Sequence, residues 1–157
     1  MWSYMYSSQG RSHDPATYEV LPTFMVNSNS HQVWLIEPDA RSAVVGVTNS
    51  EMILHPAPTH LGHNAVLAWR SPLAATIRLQ ASLYRLHLDC SVPANGVVWS
   101  LDQGNRTLRA GTLLDGTPEN LQVSLSVVAG ETIYLIVGDN GDYACDSTGV
   151  RLSIETS

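Results

Sequence analysis

The chain has 157 residues, a formal net charge of -6, 44% hydrophobic residues and 14% charged ones. That is the length of one domain and the composition of a folded protein, which excludes a disordered chain, and no stretch approaches a membrane span. All eight bases are arginine and acids outnumber them, so nucleic acid is not an expected partner.

The first expected element is extended. Trp2, Tyr4 and Tyr6 alternate, which lines the three rings on one face of a strand, either as a platform or as an edge closing the core. Met1 to Tyr6 has neither the basic start nor the apolar run of a signal peptide, so export implies a leader removed or a cut from a longer chain. Residues 7–32 are rich in Ser, Asn, His and Pro and read as long loops. Gln32–Glu37, Ala43–Thr48 and Ala65–Trp69 read as strands, interrupted by proline at positions 38, 56, 58 and 72. Between them lies His55-Pro-Ala-Pro-Thr-His60-Leu-Gly-His63.

Strict alternation then takes over. Ile77, Leu79, Ala81 and Leu83 share one face, and the same period runs through Val97, Trp99 and Leu101, through Leu121 to Val127, through Ile133, Leu135 and Val137, and through Val150, Leu152 and Ile154. Turn chemistry separates these runs at Gln103-Gly104-Asn105, Asp115-Gly116-Thr117-Pro118, Ala129-Gly130-Glu131 and Gly138 to Asp142. No amphipathic helix of more than two turns, repeat or low-complexity linker is found. Eight or nine short strands in one 1–157 domain predict an all-β, two-sheet antiparallel sandwich of jelly-roll type, with a lipocalin-type barrel as the competing architecture.

Two cysteines allow one intramolecular pairing, Cys90 with Cys145; the alternative is two buried free thiols. A bridge would close a loop of 56 residues, a constraint of about 4 kcal/mol on chain-entropy arithmetic, and would place the protein in an oxidising, extracellular setting.

His55-Pro56, then Ala65-Val66-Leu67-Ala68-Trp69-Arg70-Ser71-Pro72 and Ala75-Thr76-Ile77-Arg78-Leu79, resemble a pattern in secreted bacterial β-sandwich accessory modules of the carbohydrate-binding type. The Asp89-Cys90 pair, the strand Gly96-Val97-Val98-Trp99 and the segment from Gly138-Asp139 to Cys145-Asp146-Ser147-Thr148-Gly149 continue the likeness. It covers about residues 50 to 155, together with the Trp2-Ser3-Tyr4 opening. Such modules are attached to extracellular polysaccharide-degrading enzymes and surface proteins, and the resemblance implies a carbohydrate-binding jelly roll. Ser91-Val92-Pro93-Ala94-Asn95-Gly96 lacks the Gly-Asp pair usual there, which puts in doubt any site that uses an acid at that place.

Candidate site residues follow from chemistry. A sugar presents an apolar face to a flat ring and hydroxyls to acids, amides and arginine, so Trp2, Tyr4, Tyr6, Trp34, Tyr84 and Tyr143 are the candidate glycan contacts. Trp69 and Trp99 are assigned to the core. Asp139, Asp142 and Asp146, with Asn140, offer hard oxygen ligands for a structural calcium ion, although their spacing is not that of an EF-hand; a solvated turn is the other reading. His55, His60 and His63 suggest a metal-dependent jelly-roll enzyme, but no acid lies nearer than Glu51 and the tight His-x-His pair of a cupin is missing. There is no Gly-x-Ser-x-Gly elbow, His-Glu-x-x-His or phosphate loop; Glu37, Glu51, Asp102 and Glu131 are the carboxylates from which a glycosidase pair would have to be drawn. Asn105-Arg106-Thr107 is a glycosylation sequon, meaningful only in a eukaryotic secretory pathway. The expectation is a non-catalytic extracellular module that binds a polysaccharide. The alternatives are a self-associating structural or adhesive protein, for which the apolar Trp2 to Tyr6 edge speaks, and the histidine-loop enzyme.

Overall fold

The computed structural model describes residues 1–38, 42–86, 95–114 and 117–156. Cys90, His87, Asp89 and the expected turn at 115–116 lie outside the described residues. The strands are β1 (Trp2–Ser7), β2 (Tyr18–Val20), β3 (Thr23–Val26), β4 (Gln32–Leu35), β5 (Val44–Val47), β6 (Met52–His55), β7 (Ala65–Arg70), β8 (Ala75–Arg85), β9 (Val97–Gln103), β10 (Arg106–Leu113), β11 (Glu119–Val127), β12 (Thr132–Asp139) and β13 (Thr148–Thr156). They form a six-stranded sheet in the order β10-β9-β12-β7-β1-β2 and a seven-stranded one in the order β11-β8-β13-β6-β5-β4-β3. Every pairing is antiparallel. This is the expected jelly-roll-like sandwich and not a closed barrel.

Thirteen strands among the described residues exceed the eight or nine expected. β2, β3 and β6 are only three or four residues long, too short to show a period. β10 is long, but a register shift between Thr107 and Arg109 breaks its alternation, so a bulge hid it.

Between the sheets the period-2 faces meet. On the six-stranded side Leu135 stands opposite both Leu67 and Leu101, and on the other Ile77, Leu79, Leu83, Val150, Leu54 and Val45 are sealed from solvent. Trp99 is buried and Trp69 is half-buried against the same core, as assigned from the sequence. Large aliphatic side chains of this kind contribute about 1.5–3 kcal/mol each on burial.

The outer faces differ. That of the seven-stranded sheet is exposed and polar, with Arg78 and Gln80 on β8, Gln122 and Ser124 on β11, and Arg151 and Ser153 on β13. The six-stranded sheet carries a second small cluster outside, Tyr18, Val66 and Ile136 with Met5 and Tyr134 against it. The segment between β1 and β2, residues 8–17, reaches across this face: Arg11 pairs with Asp139 of β12 and His13 bonds Asp102 of β9. It ends in a single 3-10 turn at Pro15–Thr17, where the Asp14 carboxylate accepts from the Ala16 amide.

Candidate functional site

One pole of the sandwich gathers the connections β1–β2, β6–β7 and β12–β13. Arg11 donates to Asp139 from Nε at 2.9 Å and Nη2 at 2.7 Å, a two-toothed pair that ties the first connection to the end of β12. Burial acts to raise the Asp139 pKa, but the Arg11 guanidinium wins and holds its carboxyl below the usual carboxylate range. Asn95 and Asn140 exchange hydrogen bonds, each amide donating to the other's backbone carbonyl, at 2.5 and 2.9 Å. This joins the start of β9 to the β12–β13 connection.

Within that connection Gly141 has φ of +98°, a conformation glycine adopts without strain. The Asp142 carboxylate accepts from the Ala144 amide at 3.0 Å, an Asx turn that holds the loop upright. At its crest Tyr143 is 37% exposed and its ring meets the His55 imidazole edge-on with centroids 6.3 Å apart. Cys145, also left-handed at φ of +65°, follows, and no free cysteine occurs among the described residues.

Asp146 is the chemically odd member. It is 1% exposed, and neither carboxylate oxygen has a hydrogen-bond partner. Burial, then the charges of Asp139 and Asp142, push its pKa up to about 7, with Arg85 opposing. The three acids named as calcium ligands thus lie near enough to sense one another. Asp139, however, is committed to Arg11, and no group of three His, Cys, Asp or Glu among the described residues is arranged to hold a metal ion. The orphaned Asp146 oxygens suit a hard cation, but the three carboxylates do not converge on one.

The other candidate aromatics do not join Tyr143, although Tyr6 reaches this pole and its ring lies 5.5 Å from that of His63. Trp2, Tyr4 and Tyr6 do lie on one face of β1, and Tyr4 and Tyr6 turn inward against the core. Tyr4 sits 4.2 Å from the Trp34 ring, Trp34 is also flanked by Phe24 at 5.1 Å, and the Tyr6 hydroxyl donates to Glu19 at 3.0 Å. Trp2 is 40% exposed but pairs with Trp69 at the far end of β7. Tyr84 lies on the outer face of the seven-stranded sheet against Gly149, with the Arg151 guanidinium 5.5 Å from its centroid. Tyr143 therefore meets the His55 ring and none of the other five.

The histidines disperse. His55 Nδ1 lies 2.7 Å from the Pro56 carbonyl, His63 Nδ1 lies 2.7 Å from the Ser7 carbonyl, and His60 is exposed. Of the four carboxylates weighed for glycoside hydrolysis, Asp102 bonds His13, Glu131 bonds Gln103 and the Val128 amide, and Glu37 and Glu51 belong to other connections. Sequence reasoning missed Arg11, whose partner lies 128 residues away; no local signal marks such a pair.

No protein-family model matches the chain, and no curated protein matches it. Solved structures do resemble it, several carbohydrate-binding modules among them. The family 51 module from Clostridium perfringens GH95 in complex with methyl-galactose is 13% identical at a TM-score of 0.47, covering 81% of this chain and 74% of that one. A family 36 module in complex with calcium and xylotriose is 15% identical at 0.37, covering 72% and 92%. A family 35 module from Clostridium thermocellum is 8% identical at 0.40, covering 86% and 98%. None of the three reaches a TM-score of 0.5, so the functional reading rests on the residues.

Proposed function

We propose that this chain is a non-catalytic, glycan-binding module of an extracellular protein, and that glycan is held at the loop pole around Tyr143. The observation that carries the reading is a solvent-open aromatic ring that meets the His55 imidazole and stands on the same short connection as Asn140 and Asp142. A ring gives the sugar's apolar face something to stack on, and the surrounding acceptors and amides receive its hydroxyls. Affinity is modest, because a solvent-facing sugar recovers only part of its desolvation.

Two further elements belong to the proposal. The Cys145 sulfur pairs with Cys90, which supports an oxidising location. Calcium binds the Asp146 carboxylate as a structural ion; its two orphaned oxygens support this.

Calorimetric titration with galactose-, glucose- and xylose-containing oligosaccharides tests the reading. Saturable binding that weakens at least tenfold in Tyr143→Ala is expected. Absence of heat with every oligosaccharide overturns it.

A second reading, self-association, loses the expected Trp2 to Tyr6 edge, because β1 is paired on both sides by β7 and β2; it draws instead on one other observation. Val20, at 62%, Phe24, at 53%, and Val26, at 57%, are exposed on β2 and β3, the edge strands of the two sheets, and open apolar edges recruit further chains. A mass that rises with concentration in light scattering supports this reading, and a monomer at millimolar concentration removes it.

A further inference from the structure

Beside the loop pole, a cleft of about 430 Å³ opens on the outer face of the six-stranded sheet, bordered by His13 and Asn64 of the pole's own connections, at the lower end of the range small-ligand sites occupy. We infer that this cleft is a second, separate binding site, which takes one neutral sugar residue between His13, Asn64, Val98, Ser100, Thr112 and Ile136. The choice of a sugar rests on the proposed glycan role; the site itself rests on the following geometry.

The cleft has a fixed polar wall. His13 Nδ1 lies 3.2 Å from Asp102 Oδ2 and 3.2 Å from Ser100 Oγ. Asp102 is 1% exposed and Ser100 2%, whereas the His13 side chain is half-exposed. An ionised carboxylate only accepts, so the proton of a neutral His13 ring resides on Nδ1, and Nε2 is left as a lone-pair acceptor. Buried carboxylates orient imidazoles in this way in many sites where the other nitrogen does the chemistry. That tautomer leaves Nε2 to accept a hydrogen bond from a sugar hydroxyl.

The floor is equally determined. Asn64 is 3% exposed, and its backbone amide donates to Ser7 Oγ at 2.8 Å. Its side chain occupies the space that a Cβ at Gly138 would need, since that carbon would come within 2.4 Å of Asn64 Oδ1. A carboxamide both donates and accepts, as do the Ser100 and Thr112 hydroxyls. Val98 and Ile136 supply apolar surface between them. Polar groups of both senses around a small apolar floor match one pyranose lying flat.

Charge narrows the ligand further. Among the described residues no arginine lines the cleft, and Asp102, buried behind His13, has one oxygen, Oδ1, that is without a partner, as is the nearby Tyr18 hydroxyl. A uronic acid or sulfated sugar would bring its charge up to the buried Asp102 with no guanidinium to receive it, so the site disfavours anionic sugars.

The test uses the full chain and the methyl glycosides of galactose, glucose, xylose and glucuronic acid, followed by amide chemical shifts. Three proteins are compared: wild type, Tyr143→Ala, and Thr112→Trp, which fills the cleft from an exposed position on edge strand β10. At least one neutral glycoside should shift the amides of Asn64, Val98, Ser100 and Thr112 saturably in wild type and in Tyr143→Ala. In Thr112→Trp those shifts should vanish, while oligosaccharide binding at Tyr143 persists. If Tyr143→Ala abolishes every response and Thr112→Trp none, the second site is wrong and the glycan role stands. If glycans bind neither place, both fall; if the glucuronide binds as well as the neutral sugars, the charge assignment is wrong.

Discussion

At the residue scale, two aspartates seven positions apart are driven in opposite directions by their surroundings. Asp139 is held low by Arg11, so it contributes stability above the ordinary carboxylate range, and that contribution is lost as pH falls through its folded pKa. Asp146, raised to about 7, does the reverse: burial penalises its ionised form. The penalty is absent below about pH 4, where the unfolded chain is protonated too, grows as pH rises, and is complete above its folded pKa. Asp146→Asn should therefore raise stability by about 1 kcal/mol or more at pH 8.5, a Tm gain of roughly 2–4 °C for a chain of this size, with little change at pH 4. Calcium at pH 8 should raise the Tm of the wild type and not of Asp146→Asn. Differential scanning calorimetry reads both. The proximity of these acids was legible, because they share one short loop. Their opposite fates were not, since Arg11 arrives from the other end of the chain and burial is a property of the folded state.

At the element scale, alternation located β8, β9, β11, β12 and β13, because strands half-buried on one face must repeat every second residue. The same rule placed Trp2, Tyr4 and Tyr6 on one side of β1 but was silent on which side meets the other sheet. Tyr4 on Trp34 answers that. β13 shows a complementary dependence on a missing side chain. Gly149 pairs with Tyr84 across β8, and a Cβ there would approach the tyrosine ring within 2.5 Å. Gly149→Ala should force the ring out from beneath Arg151 and cost about 1–3 kcal/mol, as overpacking does, measured by urea denaturation. Gly104, whose surroundings are open, accepts an added methyl group without a clash, though its φ of +57° retains a smaller conformational cost.

At the scale of the whole molecule, short alternating strands and evenly spaced turns made a two-layer antiparallel β architecture readable before any coordinates. The pole that collects Tyr143, Asp146 and Arg11 was not readable, because it is assembled from connections whose sequences carry no common period. The proposed cross-link acts at this scale too, joining the β8–β9 and β12–β13 connections. Cys145→Ser and Cys90→Ser should each lower stability by about 4 kcal/mol, and the double variant should be no worse than either alone. Additive losses would mean that the two sulfurs act separately.

The polarity of the sandwich has a practical sequel. The Met1 ammonium donates to the Arg70 carbonyl at 2.9 Å and Thr156 pairs with Ile77, so both described ends of the chain sit beside the β7–β8 connection. The connection bearing Tyr143 leaves the opposite ends of β12 and β13. Anchored to a sensor chip by a tag at either terminus, the molecule would hang with its ring outermost and read the same affinity in both orientations. Coupling chemistry aimed at Asp142 would blind it.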